Sequence, residues 1–156
     1  MRANLGEESV INASAQFWEQ MLAMKLEPLP AAGDLCLAAG HILGSVALSG
    51  VWKGRVEVRL TERLAHQATA AMMMCPIDAV SEAEALDATK EIANIIGGVI
   101  KSSLPRPCSM TVPAAAVETR DFAHPATSDD ALIVAFRHDA GDLMVRVWEE
   151  ECLQAA

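Results

Sequence analysis

Ser81–Leu104, SEAEALDATKEIANIIGGVIKSSL, reads as one long helix. Ser81 can cap its start, and Glu84, three residues on, completes a capping box. Pro105 stops it, because a proline pushes the residue before it out of helical geometry. Leu86, Ala93, Ile96 and Ile100, with Ile92 and Val99 beside them, form an apolar stripe. The opposite face carries Asp87, Lys90, Glu91, Asn94, Gly97, Gly98 and Lys101. Two features of that face run against helix preference. An asparagine sits mid-helix, and a glycine pair follows, each glycine costing roughly 1 kcal/mol against alanine. A bare backbone there serves either a packed neighbour or a docking partner.

The rest of the chain supplies a sheet. Asn4 to about Lys25 has helical spacing, with Asn4 and Glu7 as a capping box and Phe17 and Trp18 as core anchors. Pro28, Pro30 and Gly33 break it. Leu35 to Ser49 holds one or two strands, and Arg55 to Leu60, RVEVRL, alternates cleanly. Across the Gly50–Gly54 connection its partner is Ile42 to Leu48. Thr61 caps a second helix to about Met74, burying Leu64, Ala68, Ala71 and Met72, with the methionine run as adaptable core filling. Cys108 to Glu118 suits a strand except at Pro113, which calls for an edge position or a bulge. Thr119 to Asp130 is a polar loop. Ala131–Arg137 and Leu143–Glu149 pair as a hairpin across His138–Asp142. This order gives one α+β domain over residues 1–156, an antiparallel-rich sheet covered by helices, two of them long.

Composition excludes several classes of function. Net charge is −9, with no basic footprint for nucleic acid. No apolar run approaches the roughly 20 residues of a membrane span, and the N-terminus lacks a secretory pattern, so the expected location is the cytoplasm. The four cysteines, Cys36, Cys75, Cys108 and Cys152, lack CxxC spacing and read as small buried hydrophobes. His41, His66, His124 and His138 are scattered, so no metal site is expected. No glycine-rich phosphate loop and no G-x-S-x-G elbow occurs. Asp129–Asp130 and Glu149–Glu151 read as solvated acids.

Glu91-x-x-Asn94 differs in kind. Its spacing puts both side chains on one helical face, about 60° apart. A carboxylate can grip a lysine on another molecule, and a carboxamide can orient a water without competing as a base. The spacing alone is common, arising by chance about once in every few chains of this size.

At Asp87-x-x-x-Glu91-x-x-Asn94, within DATKEIANIIGGVIK, the sequence resembles the active-site helix of the CheC/CheX/FliY class of chemotaxis phosphatases, and of CheX-like domains in particular. GVWKGRVEVRLTERLA before it and SMTVPAAAV after it look like CheX-like segments in the same order. The likeness runs from the first helix to the Pro113 strand. One Glu-x-x-Asn is present, as in CheX, where CheC carries two. The CheC-type pattern sets a proline farther beyond its asparagine, so Pro113 is kept as a structural residue.

The resemblance implies a CheC/CheX-like fold with two long helices packed on the sheet. It also implies a phosphatase acting on the aspartyl phosphate of a CheY-type response regulator. Asn94 would orient the attacking water and Glu91 would pair with the receiver's lysine. Asp87, Lys90, Gly97, Gly98 and Lys101 would form the docking surface around them. The protein would need no cofactor of its own, and Mg²⁺ would belong to the receiver. The alternative is a non-catalytic receiver-binding or signalling adaptor of the same fold. CheX-like proteins form dimers through their sheets, and the terminal hairpin leaves an edge for a second copy.

Overall fold

The computed structural model describes residues 6–29, 35–123 and 131–150. Asn4, Pro30, Gly33, His124, Asp129, Asp130, Glu151 and Cys152 lie outside them, and with Asn4 the first capping box. Period-two alternation builds the sheet. In β3 (Ile42–Gly50) and β4 (Gly54–Leu60) every second residue is buried, from Ile42 to Leu48 and from Gly54 to Leu60. Their register is the expected one, Ile42 opposite Leu60 and Leu48 opposite Gly54. β8 (Ala131–His138) and β9 (Gly141–Glu149) form the second hairpin, with a tighter turn than the sequence indicated, since His138 pairs with Gly141. β9 also pairs with β4, which joins the hairpins into one antiparallel sheet.

The strand order is β1 (Glu27–Pro28), β8, β9, β4, β3 and β5 (Cys108–Met110), with β6 (Ala114–Val117) also on β3. β5 (Cys108–Met110) and β6 (Ala114–Val117) are one edge strand broken at Pro113. Ser45 faces Ala114 and Leu48 faces Met110, so Val46 and Ala47 oppose three residues, Thr111, Val112 and Pro113. That is a bulge, as the proline demanded. Thr111 bridges it: its N–H donates to the Ala47 carbonyl, and its hydroxyl accepts from the Ala47 N–H, both at 2.9 Å.

Of three two-residue strands, the second falls within Leu35–Ser49, expected to hold one or two strands, and the other two are absent from the sequence reading. β1 (Glu27–Pro28) pairs with the end of β8, and β2 (Cys36–Leu37) pairs with β7 (Phe122–Ala123) inside the expected polar loop. The β2–β7 ribbon covers part of the second sheet face, where Leu35 and Leu37 bury Ala135 and Met144. Arg59 fastens it, stacking its guanidinium 4.2 Å above Phe122 and donating to His41 Nε2 at 2.9 Å. His41 Nδ1 lies 2.9 Å from the Ala38 carbonyl, which can only accept, so the ring proton sits on Nδ1.

The helices cover the first face. α1 (Glu7–Leu22) begins behind Gly6, without a side-chain cap, and buries Phe17 and Trp18. α2 (Glu62–Met73) begins behind Thr61, but that hydroxyl makes no cap bond; the residue is pressed against Gly141 of the β8–β9 turn instead. α2 buries Leu64, Ala65, Ala68, Thr69 and Ala70, whereas Ala71 is exposed. The methionine run is not core: Met72 is half-buried, Met73 and Met74 are exposed, and the chain leaves the helix at Met74 in a left-handed conformation. The cysteines are less buried than expected. Cys36 is exposed, Cys75 and Cys108 are half-buried, and all three are free thiols.

α3 (Glu82–Ser102) has both bonds of its capping box. Ser81 Oγ accepts from the Glu84 N–H at 3.1 Å, and Glu84 Oε1 accepts from the Ser81 N–H at 3.0 Å. The Ser81 backbone N–H, and then its side chain, hold the Glu84 carboxyl below the usual glutamate range. Ile92, Ile96 and Ile100 are buried on the sheet, each worth roughly 1.5–3 kcal/mol. The buried sector is displaced from the expected stripe. Ala85, Ala88 and Thr89 are buried, Leu86 is only half-buried and Val99 is exposed. Gly44 explains the displacement: a Cβ there would stand 2.9 Å from Thr89 and 3.2 Å from Ala93, so its absence lets α3 close on β3. Thr89 tolerates burial because its hydroxyl donates to the Ala85 carbonyl at 2.8 Å.

Candidate functional site

Successive helix residues turn by about 100°, which sorts the polar residues of α3 into rows. Asp87, Asn94 and Lys101, seven apart, share one row. Glu91 and Gly98 form a second row beside it, and Lys90 and Gly97 a third on the other flank. The first two rows point away from the sheet. Asp87 and Glu91 are exposed, and Asn94, Gly98 and Lys101 are half-buried.

The structure separates the two glycines. A Cβ on Gly98 would meet nothing within 4 Å. A Cβ on Gly97 would stand 2.6 Å from Val46 Cγ2 and 3.1 Å from Met110 Sδ. Gly97 is therefore a packing residue on the sheet side, and its expected place on the docking face is corrected. At Gly98 the backbone is open on the outward side of the helix.

Asp87 and Lys90 are brought together, but with each other. Lys90 Nζ lies 3.7 Å from Asp87 Oδ1, one turn apart on an exposed surface. Such a pair is worth little, so either side chain is free to exchange partners. The side chains of Glu91, Asn94 and Lys101 have no hydrogen-bond or ion-pair partner among the described residues. A carboxylate and a carboxamide thus stand side by side, unengaged, on a helix fixed at its start by the capping box and on its back by Gly44 and Gly97.

No group of three or more His, Cys, Asp or Glu that could hold a metal ion occurs among the described residues. Among them, no helix is long and apolar enough to cross a membrane. The arrangement can position water or grip a cation on another molecule, but it supplies no nucleophile and base of its own. One cation near this face escaped the sequence reading. Arg106, exposed just beyond the end of α3, lines a cleft together with Lys101. Its signal was local: an arginine held between Pro105 and Pro107 directly after the helix stop.

Comparison with known proteins bears on the family and the fold. The family profile described as Chemotaxis phosphatase CheX matches residues 42–137, which include the two central strands, all of α3 and the bulged edge. The chain belongs to the CheX family. With it the protein takes its place in the wider CheC/CheX/FliY superfamily. The chemotaxis protein CheX from Vibrio vulnificus superposes with a TM-score of 0.73 at 18% identity, over 96% of this chain and 100% of that one. CheX from Borrelia burgdorferi, in its complex with CheY, BeF₃ and Mg²⁺, gives 0.69 at 19%, over 92% and 97%. The architecture extends to the FliM middle domain of H. pylori, with a TM-score of 0.53 at 8% identity, over 92% of this chain and 86% of that one. At these identities the likeness is one of fold. No curated protein matches the sequence.

Proposed function

We infer that this CheX-family protein binds a CheY-type receiver domain through the outward rows of α3 and, once bound, accelerates hydrolysis of the receiver's aspartyl phosphate. The observation that carries the reading is the pair Glu91 and Asn94, unengaged and adjacent on the exposed side of a rigidly seated helix, with Gly98 bare beside them. Support for the binding step comes from the Borrelia CheX, whose structure is a complex with CheY.

The chemistry asks little of the phosphatase. An aspartyl phosphate is an activated acyl phosphate. Water attacks phosphorus in line, the P–O bond to the aspartate breaks, and the carboxylate leaves with the bonding pair. Inorganic phosphate forms, and the water's proton passes to it or to solvent. A Mg²⁺ and a lysine in the receiver would neutralise the transferring group. What remains is orientation. Asn94 would accept from, or donate to, the attacking water through its carboxamide. Glu91 would pair with the receiver's lysine and fix the register. Neither step needs a cofactor on this chain.

A second reading is favoured by the shared architecture of the FliM middle domain, because a fold does not by itself dictate hydrolysis. In it the same face docks on the receiver as an adaptor and leaves the phosphate alone. Mixing the protein with phosphorylated CheY-type receivers of the same cell, and following both complex formation and phosphate, separates the two. Binding with faster phosphate loss is expected. Binding with unchanged decay would replace the phosphatase by the adaptor.

A further inference from the structure

A cleft of about 740 Å³ opens at the C-terminal end of α3, lined by Gly98, Lys101, Ser102, Arg106, Pro107 and Cys108. It is the continuation of the candidate site, since Gly98 and Lys101 belong to the two outward rows. Its charge is unusual for this protein. The chain carries −9 overall, yet among the described residues the lining holds two cations and no carboxylate. Neither Lys101 nor Arg106 has an acidic partner among the described residues. The helix end does not cancel them. Its last carbonyls are engaged: Ser102 Oγ donates to Val99 at 2.6 Å, the Ser103 N–H to Ile100 at 3.0 Å, and the Leu104 N–H to Lys101 at 3.1 Å. The residual half-charge of a helix C-terminus is smaller than two full cations.

A strongly acidic protein faces a difficulty in approaching a receiver's phosphorylation site. A phosphoryl group and the carboxylates that hold its Mg²⁺ together outweigh the ion's two positive charges, so the surface around them is negative too. Two like-charged surfaces meet slowly unless one carries a local patch of the other sign. Resting on the function inferred above, we propose that the Lys101–Arg106 cleft is the receptor for a carboxylate-bearing segment on the rim of the receiver. Geometry sets where that segment lies. Lys101 follows Asn94 by seven residues in the same row, about 10 Å along the helix axis. With Asn94 at the phosphoryl group, the cleft meets acidic side chains about that distance from the phosphorylated aspartate. Glu91 and the cleft then divide the work of docking. Glu91 takes the receiver's lysine, and the cleft takes its acids. Both contacts must fit before Asn94 is in line.

The test uses the full chain and a CheY-type receiver of the same cell loaded with beryllofluoride and Mg²⁺. Affinity is measured over a series of salt concentrations for the wild type, Lys101→Glu/Arg106→Glu, Lys101→Ala/Arg106→Ala and Asn94→Ala. Arg106 is exposed and Lys101 half-buried, so the alanine variant is expected to unfold with the wild type, and the charge-reversed variant, with a glutamate in the last turn of α3, a few degrees lower. The charge-reversed variant is expected to bind roughly tenfold more weakly at low salt, the alanine variant by a smaller factor, and the gap to close as salt screens it. Wild-type affinity in the charge-reversed variant would overturn the proposal. So would displacement of the receiver by inorganic phosphate alone at millimolar concentration, which would make the cleft a small-anion site. Asn94→Ala reports separately on the inferred function. If it still accelerates phosphate loss, the water-orienting role fails while the cleft stands; if no receiver binds the wild type, both fail.

Discussion

Gly97→Ala and Gly98→Ala place the same substitution at neighbouring positions of one helix and are expected to act in opposite directions. Neither glycine has a positive φ, so alanine fits the backbone at both. In a helix interior the exchange is worth about 0.5–1 kcal/mol in favour of alanine. At Gly98 that gain stands alone, because the new Cβ meets nothing within 4 Å. At Gly97 the Cβ would stand 2.6 Å from Val46 Cγ2. Val46 is a buried, β-branched residue of β3, opposite Val56, and it cannot swing aside. Overpacking of that kind costs about 1–3 kcal/mol, so Gly97→Ala nets to a loss of roughly 1 kcal/mol. The two variants should therefore differ by about 2 kcal/mol, close to 1 M in urea midpoint for a domain of this size. Urea unfolding followed by circular dichroism measures it. Gly97→Ala unfolding at or above the midpoint of Gly98→Ala would refute the packing of α3 on β3 and, with it, the orientation of the Glu91–Asn94 face.

Ser81→Ala removes the acceptor of the capping box and is expected to cost about 1 kcal/mol by the same urea assay. Glu84→Gln tests the other half through pH. The folded carboxyl titrates below its ordinary range, so its contribution is present at neutral pH and is lost as pH falls through the folded value. The stability gap between wild type and Glu84→Gln should narrow as pH falls from neutral through the folded value, and a constant gap would contradict the cap. Pairing of two copies is proposed through β8, whose outer edge is covered among the described residues only by β1, at Phe136 and Arg137, and by the Leu29 N–H on Ala135. Sedimentation at twice the chain mass is the expected result, and monomer alone would remove the proposal.

The elements legible in the sequence were those whose signal is local. α3 announced itself by Ser81, Glu84 and Pro105, and the β3–β4 register by alternation alone. Pro113 foretold a bulge because a missing donor has few places to sit in a sheet. What failed was set by distant partners. Nothing near Gly97 and Gly98 says which one packs, because the deciding atoms belong to Val46 and Met110. Met73 and Met74 look like core until the chain turns away at Met74. The two-residue strands carry too few residues for a pattern, and β7 is held by Arg59 and His41 from across the fold. Glu91 and Asn94 were found as a spacing on one helix face, which needs only the helix. Arg106 was missed because it joins the site through the turn after that helix.

The most direct measurement is phosphate loss from a phosphorylated CheY-type receiver under saturating wild-type protein, Asn94→Ala and Glu91→Ala. Wild type is expected to shorten the lifetime of the phosphate. Asn94→Ala is expected to bind but to lose roughly a hundredfold of the acceleration, returning the receiver toward its unaided rate. Glu91→Ala is expected to require more protein for the same effect. Decay under Asn94→Ala as fast as under wild type would contradict the assignment of α3 as the face that acts on the receiver's phosphate.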